Sequence, residues 1–193
     1  MLASSQQINF QCPNLPAGTP MDVRVVTESG EILSAPETIM SAAAPTIFTL
    51  AKAPGSNTIG AVAQVAATNQ LVSTEADGSS AQQGDAVRIY ATGLGNVGVS
   101  LAPGTAAPLD KVYPLVGTGV TVRLGGQELK PLFAGLAPGA VGVYQLDVVI
   151  PSNAQLGAEV PLFIQLDLAD GSTRLSNPAS LPISAAGNGK KAE

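Results

Sequence analysis

The run Gly93-Leu-Gly-Asn-Val-Gly98 carries the G-x-G-x-x-G spacing of a dinucleotide-binding loop and follows a strand-like stretch. Glycines at that spacing let a backbone approach a pyrophosphate, but the chemistry also needs a helix whose N-terminus faces the phosphates. Gly98 is followed by Val99-Ser-Leu-Ala-Pro-Gly-Thr-Ala-Ala-Pro108, which cannot form that helix. Asp110 falls close to the ribose-binding spacing with no βαβ unit around it. The glycines read as strand-end turns, and nucleotide binding is not expected.

Other chemistries narrow quickly. The sequence holds no histidine, which excludes Ser-His-Asp and Cys-His catalysis and histidine metal sites within this chain. Its single cysteine, Cys12, excludes an internal disulfide and reads as a small buried hydrophobe, not a nucleophile. Glu75, Asp77 and Asp85 share one polar loop region, and Asp167 and Asp170 flank the last hairpin. Oxygen-rich turns can bind calcium, but no ligand loop of the EF-hand kind is present, so these read as solvated turn carboxylates. With no tryptophan and 4% aromatics, a sugar-stacking platform is poorly supplied. Tyr90, Tyr113 and Tyr144 read as core or interface residues. The expectation is a protein that is not an enzyme and uses no cofactor or metal.

Composition points the same way. Charged residues make up 12% of the 193, against about a quarter in ordinary domains, while Gly 21 and Pro 15 are plentiful. A net charge of −5 gives no basic footprint for nucleic acid. No eighteen-residue apolar run marks a membrane span. The opening Met1-Leu-Ala-Ser-Ser-Gln-Gln lacks the parts of a signal peptide, so the chain either stays inside the cell or derives from a longer secreted precursor.

The elements that would position these residues are strands. Val143–Ile150 is apolar and largely β-branched apart from Gln145 and Asp147, follows turn residues Pro138, Gly139 and Gly142, and ends at Pro151. Tyr144, Leu146, Val148 and Ile150 are expected on one core-facing side. A second copy of this pattern stands near the start: Gln7-Ile-Asn-Phe-Gln-Cys-Pro13 answers Gln145-Leu-Asp-Val-Val-Ile-Pro151. Gly18 answers Gly157, Gly30 answers Gly171, and Leu33-Ser-Ala-Pro36 answers Leu175-Ser-Asn-Pro178. Turn residues recurring at matched points indicate an internal duplication. In the first copy, residues 6–12 and 22–27 read as strands joined through Pro13–Pro20, and Ile32–Pro45 leads out of the unit. The second copy has a front half as well, with strands at Asp85–Thr92, Gly119–Leu124 and Glu128–Phe133. Pro45–Gln83 reads as a hairpin that begins the second unit.

Four segments, Gln7–Pro13, Ala43-Ala-Pro-Thr-Ile-Phe-Thr49, Ile89-Tyr-Ala-Thr-Gly-Leu-Gly95 and Phe133–Gly139, resemble a domain found at the C-terminus of large secreted proteins of Acidobacteria, the Solibacter-type C-terminal domain. The likeness spans residues 5–185 in the family's order. It implies tandem immunoglobulin-like β-sandwiches of the IPT/TIG kind, an extracellular or cell-surface setting and no transferable activity. The family pattern places a front half of the first sandwich before Gln7, which this sequence does not carry.

The expected fold is therefore all-β: a half unit at residues 1–44, a complete immunoglobulin-like sandwich at 45–186 and a disordered tail at 187–193. The expected function is a non-enzymatic structural or interaction module whose partners are proteins, either further copies or upstream domains of a parent protein. Ile8, Phe10, Val23 and Val25 are the candidate interface, assembling through strand edges into an oligomer or filament. The alternative is a carbohydrate- or calcium-binding sandwich attached to a larger secreted protein.

Overall fold

The computed structural model describes residues 2–3, 8–13, 15–50, 55, 58–73 and 78–187. Its strands are β1 (Leu2–Ala3), β2 (Ile8–Asn9), β3 (Pro20–Thr27), β4 (Gly30–Ile39), β5 (Thr46–Ile47), β6 (Ala63–Val65), β7 (Ala81–Gln82), β8 (Ala86–Thr92), β9 (Thr118–Leu124), β10 (Gln127–Leu129), β11 (Phe133–Leu136), β12 (Tyr144–Val149), β13 (Gly157–Leu168), β14 (Thr173–Leu175) and β15 (Ala179–Ser184). No helix occurs among the described residues, so the all-β expectation holds.

Alternation decides which faces meet. In β12, Leu146 and Val148 are buried and Ile150 follows them inward, while Gln145, Asp147 and Val149 point the other way. Tyr144 packs half-buried against the same core, as expected from the sequence. β12 lies between β11 and β8, and β5 and β6 both pair with β8, giving one five-stranded sheet. The order β10-β9-β13-β15-β7, with β14 also on β13, forms a six-stranded sheet. Val122, Leu124, Leu162, Ile164 and Leu166 of the second sheet and Ile47, Val87, Ile89 and Leu146 of the first belong to one buried cluster. Two mainly antiparallel sheets thus share a core in the manner of a β-sandwich. Each of its large aliphatic side chains contributes roughly 1.5–3 kcal/mol by leaving water.

Polar groups staple the sheets where β14 gives way to β15. Asn177 Oδ1 accepts the Ile47 amide at 2.7 Å and its Nδ2 donates to the Ile47 carbonyl at 3.2 Å. Next to it, Ser176 Oγ accepts the Ile164 amide at 2.9 Å. Ser180 continues the connection, its amide donating to Ile59 O and its carbonyl accepting from Ala61 N. The Pro45–Gln83 stretch holds an antiparallel contact as expected, a bridge between Thr49 and Ala61. Its two arms, β5 and β6, lie one after the other along β8.

The outer edge of β11 is occupied by the chain itself. Pro114 forms a bridge opposite Gly135, with Leu115 N donating to Ala134 O and Leu136 N to Tyr113 O.

The N-terminal region departs from expectation. Of the described residues in 6–12, Ile8–Asn9 form a strand paired with β1, and residues 10–12 are not strand. Ile32–Pro45, read as a lead-out, instead supplies most of β4, a ten-residue strand paired with β3. The Gly187 amide donates to Gln82 Oε1, while the rest of the expected tail, 188–193, lies outside the described residues.

Candidate interface on the first repeat

The β3–β4 hairpin is a two-stranded sheet of its own. Alternation in Met21-Asp-Val-Arg-Val25 sends Met21, Val23 and Val25 to one face and Asp22 and Arg24 to the other. A two-residue turn at Glu28-Ser29 closes it, with Gly30 at φ 131° and Thr27 Oγ1 donating to Gly30 O at 2.9 Å. At its base Gly18 N donates to Met40 O and Met40 N to Thr19 O.

The pairing register reproduces the duplication. In β3–β4, Arg24 faces Leu33, Val25 faces Ile32 and Val26 faces Glu31. In β13–β14, Gln165 faces Leu175, Leu166 faces Arg174 and Asp167 faces Thr173. These are the pairs that the match of Leu33–Pro36 with Leu175–Pro178 requires. Farther from the turn, Pro20 faces Ile39 and Met21 faces Thr38, as Pro161 faces Ser180 and Leu162 faces Ala179. Met21, Val23 and Val25 therefore correspond to Leu162, Ile164 and Leu166.

Their surroundings differ. Leu162, Ile164 and Leu166 are all fully buried, at 0% exposure, and the second edge of β13 is paired with β9. Met21, Val23 and Val25 are half-buried, and β4 is the only ladder partner of β3 among the described residues. Nearby Val26 and Ile39 are 76% and 66% exposed. On the outer face Arg24 and Asp22 stand 3.7 Å apart, an exposed ion pair of the kind that contributes about 0–1 kcal/mol.

The four interface residues read from sequence are placed unequally. Val23 and Val25 share the half-buried row. Phe10 is exposed, just beyond β2, where Gln11 anchors the segment by accepting the Gly104 amide at 2.7 Å. Ile8 lies in β2, and its side chain is outside the described residues. Met21, which is not among those four, completes the row; strict alternation from Val23 is the signal that finds it.

Cys12 is exposed, not buried. Its place in the repeat answers Ile150, but β2 ends at Asn9, so residues 10–13 no longer follow the alternation that turns Ile150 inward.

The remaining chemical candidates are held in local structure. Gly93 has φ 71°, and a Cβ there would run into the Ala44 carbonyl; Tyr144 Oη donates to Gly95 O. The stretch after Gly98 is irregular, with no helix to face a phosphate. Asp85 Oδ2 accepts the Gln82 amide, and Asp167 Oδ1 accepts from Thr173 Oγ1 and Gln165 Nε2. Asp170 Oδ1 accepts both the hydroxyl and the amide of Ser172, which holds its carboxyl below the usual range. Glu75 and Asp77 lie outside the described residues. Among the described residues no three His, Cys, Asp or Glu side chains gather as metal ligands, and no helix is long and apolar enough to cross a membrane. Tyr90 lies on the solvent face of β8, its hydroxyl donating to Gln64 Oε1 at 3.0 Å, and burial raises the Tyr144 hydroxyl above its ordinary pKa.

No family model, no curated protein and no solved structure matches this chain.

Proposed function

We propose that this chain is a non-enzymatic structural module that associates with other protein through the strand edge and apolar row of its first repeat. The carrying observation is the contrast at matched register: Leu162, Ile164 and Leu166 are sealed by a paired strand and an opposing sheet, while Met21, Val23 and Val25 are half-covered. Half-covered apolar strand faces are rarely left to water in soluble proteins, and they favour contact with other protein. The sandwich, rigid and stapled at Asn177, serves as the support. Its immunoglobulin-like character, its place in the Solibacter-type family and an extracellular or cell-surface setting are further parts of this reading, which rest on the sequence resemblance.

Light scattering across a concentration series tests the association. The expected result is a mass that rises above the 19.3 kDa of one chain and falls back when Met21 and Val25 are both replaced by Ser. A chain of constant monomer mass at every concentration overturns the proposal.

A further inference from the structure

The solvent face of the five-stranded sheet carries a pattern that the core does not need. Alternation along β11, β12 and β8 sends every second residue outward, and the register lays those residues in rows across the strands. One row runs Phe133, Asp147, Arg88 and Gln64. The next runs Gly135, Gln145 and Tyr90, and Phe48 continues it, its amide donating to Tyr90 O. Of the chain's four phenylalanines and three tyrosines, Phe48, Tyr90 and Phe133 stand here. Few as the aromatics are, they are gathered on one surface.

Gly135 has no side chain, and the Phe133 ring folds into that space, its Cζ 2.8 Å from where a Cβ at Gly135 would stand. The ring therefore lies along the sheet beside Gln145. Two strand spacings, about 10 Å, separate β11 from β8 and its Tyr90. Between the rings, polar groups hold one another in place. Tyr90 Oη donates to Gln64 Oε1 at 3.0 Å, and Gln145 Nε2 donates to Asp147 Oδ1 at 2.8 Å. Each bond engages one atom of its side chain; Gln64 Nε2, Gln145 Oε1 and Asp147 Oδ2 take no other partner among the described residues. Arg88 faces Asp147 across the ladder and donates to Asn69 Oδ1 at 2.6 Å, so the two opposite charges of these rows offset each other. Phe48 is 38% exposed and the other side chains of the rows are half-buried, so all of them reach solvent.

We propose that this face binds a neutral oligosaccharide strand. A pyranose ring presents C–H groups on its flat side and hydroxyls at its rim. The negative face of an aromatic ring lying along the sheet takes the C–H side, and amide and carboxylate atoms at fixed points take the hydroxyls. Two separated rings with hydrogen-bonding groups between them fit a chain of sugar units better than a single unit. The balanced charge favours a neutral glycan over a uronate or a sulfated one. The site asks nothing of the first repeat, so it stands or falls apart from the association proposed above.

Affinity electrophoresis tests it, in gels holding hydroxyethyl cellulose, arabinoxylan or galactomannan, with alginate as the anionic arm and a gel without polysaccharide as reference. The chain should be retarded by at least one of the neutral polysaccharides and pass freely through alginate. Phe133→Ala and Tyr90→Ala should each weaken binding by up to about tenfold, the worth of one aromatic stack. Gln145→Ala, which keeps both rings, should weaken it by a smaller factor. Phe163→Ala removes an outward aromatic from the six-stranded sheet and should leave retardation unchanged. Thermal unfolding of each variant separates lost binding from lost fold. Free passage through all three neutral gels, retardation by alginate alone, or equal retardation of the wild type and a folded double variant of Phe133→Ala and Tyr90→Ala overturns the proposal.

Discussion

Strands β3 and β13 share an alternation and, at their ladders, a register, yet their apolar rows meet different fates. Leu162, Ile164 and Leu166 vanish into a core built from two sheets, and Met21, Val23 and Val25 keep part of their surface in water. Local sequence made both hairpins. Among the described residues β13 has β9 on its far edge and β8 and β12 across the core, while β3 lies in a two-stranded sheet with β4. Strand formation is therefore settled within the hairpin, while burial depends on elements brought from elsewhere in the chain or from outside it. A duplicated segment can keep its shape while the burial of its apolar row changes.

The largest test of that contrast is a matched pair of truncations. Leu162→Ala leaves a cavity in a closed core and should cost about 2–5 kcal/mol of unfolding free energy. Met21→Ala, at the same register point, should cost about 1 kcal/mol or less when measured by urea denaturation at a concentration where the chain is monomeric. Equal losses would mean that the first repeat's row is as well sealed as the second's.

Two turn glycines give the next comparison. Gly93 and Gly18 both hold left-handed backbone, at φ 71° and 86°. Gly93→Ala adds a clash with the Ala44 carbonyl to the conformational penalty, and should destabilise by about 1–3 kcal/mol or more. At Gly18 nothing lies within 4 Å of the point an alanine methyl would occupy, so Gly18→Ala should show the backbone penalty alone, about 1 kcal/mol. Thermal unfolding of the two variants ranks them, and a reversed order would break the assignment of crowding to the second repeat.

Asn177→Ala strips the staple from the second repeat and leaves it with the alanine that the first repeat carries at Ala35. The Ile47 amide and carbonyl lose their partners, at a cost of about 1–3 kcal/mol. Hydrogen exchange at the Ile47 amide should quicken more than at the Ile164 amide, which Ser176 holds.

The smallest effect concerns acid. The Asp170 carboxyl is held below its ordinary value by the Ser172 hydroxyl and amide, so its contribution is present at neutral pH and is lost as pH falls through the lowered folded pKa. The group is solvent-exposed, so the change is slight. Asp170→Asn should lower the neutral plateau slightly and flatten the low-pH limb of the stability curve, an effect the first repeat's two-residue turn has no counterpart for.

Much of this architecture is legible in the sequence. Glycines at 18, 30, 157 and 171 and the two Leu-Ser-x-Pro runs mark the duplication because hairpin geometry needs those residues at fixed points of a ladder. The core face of β12 follows from simple alternation. β4 is hidden because Glu31, Pro36 and Glu37 interrupt its apolar pattern. Cys12 is misplaced because an alignment of repeats carries residue type forward but not the end of a strand. The half-covered row is visible only when β9 is seen beside β13, since burial is a property of the neighbour.

Pro114, laid against Gly135 on the outer edge of β11, has a consequence for how large an assembly can become. A fibre needs two unlike adhesive ends on every subunit, so that each arrival leaves a fresh one exposed. A proline has no amide hydrogen to offer an incoming strand, and the five-stranded sheet presents that gap where it would otherwise extend. The outer edge of β11 is therefore closed to an incoming strand, and any association of the chain must use another surface.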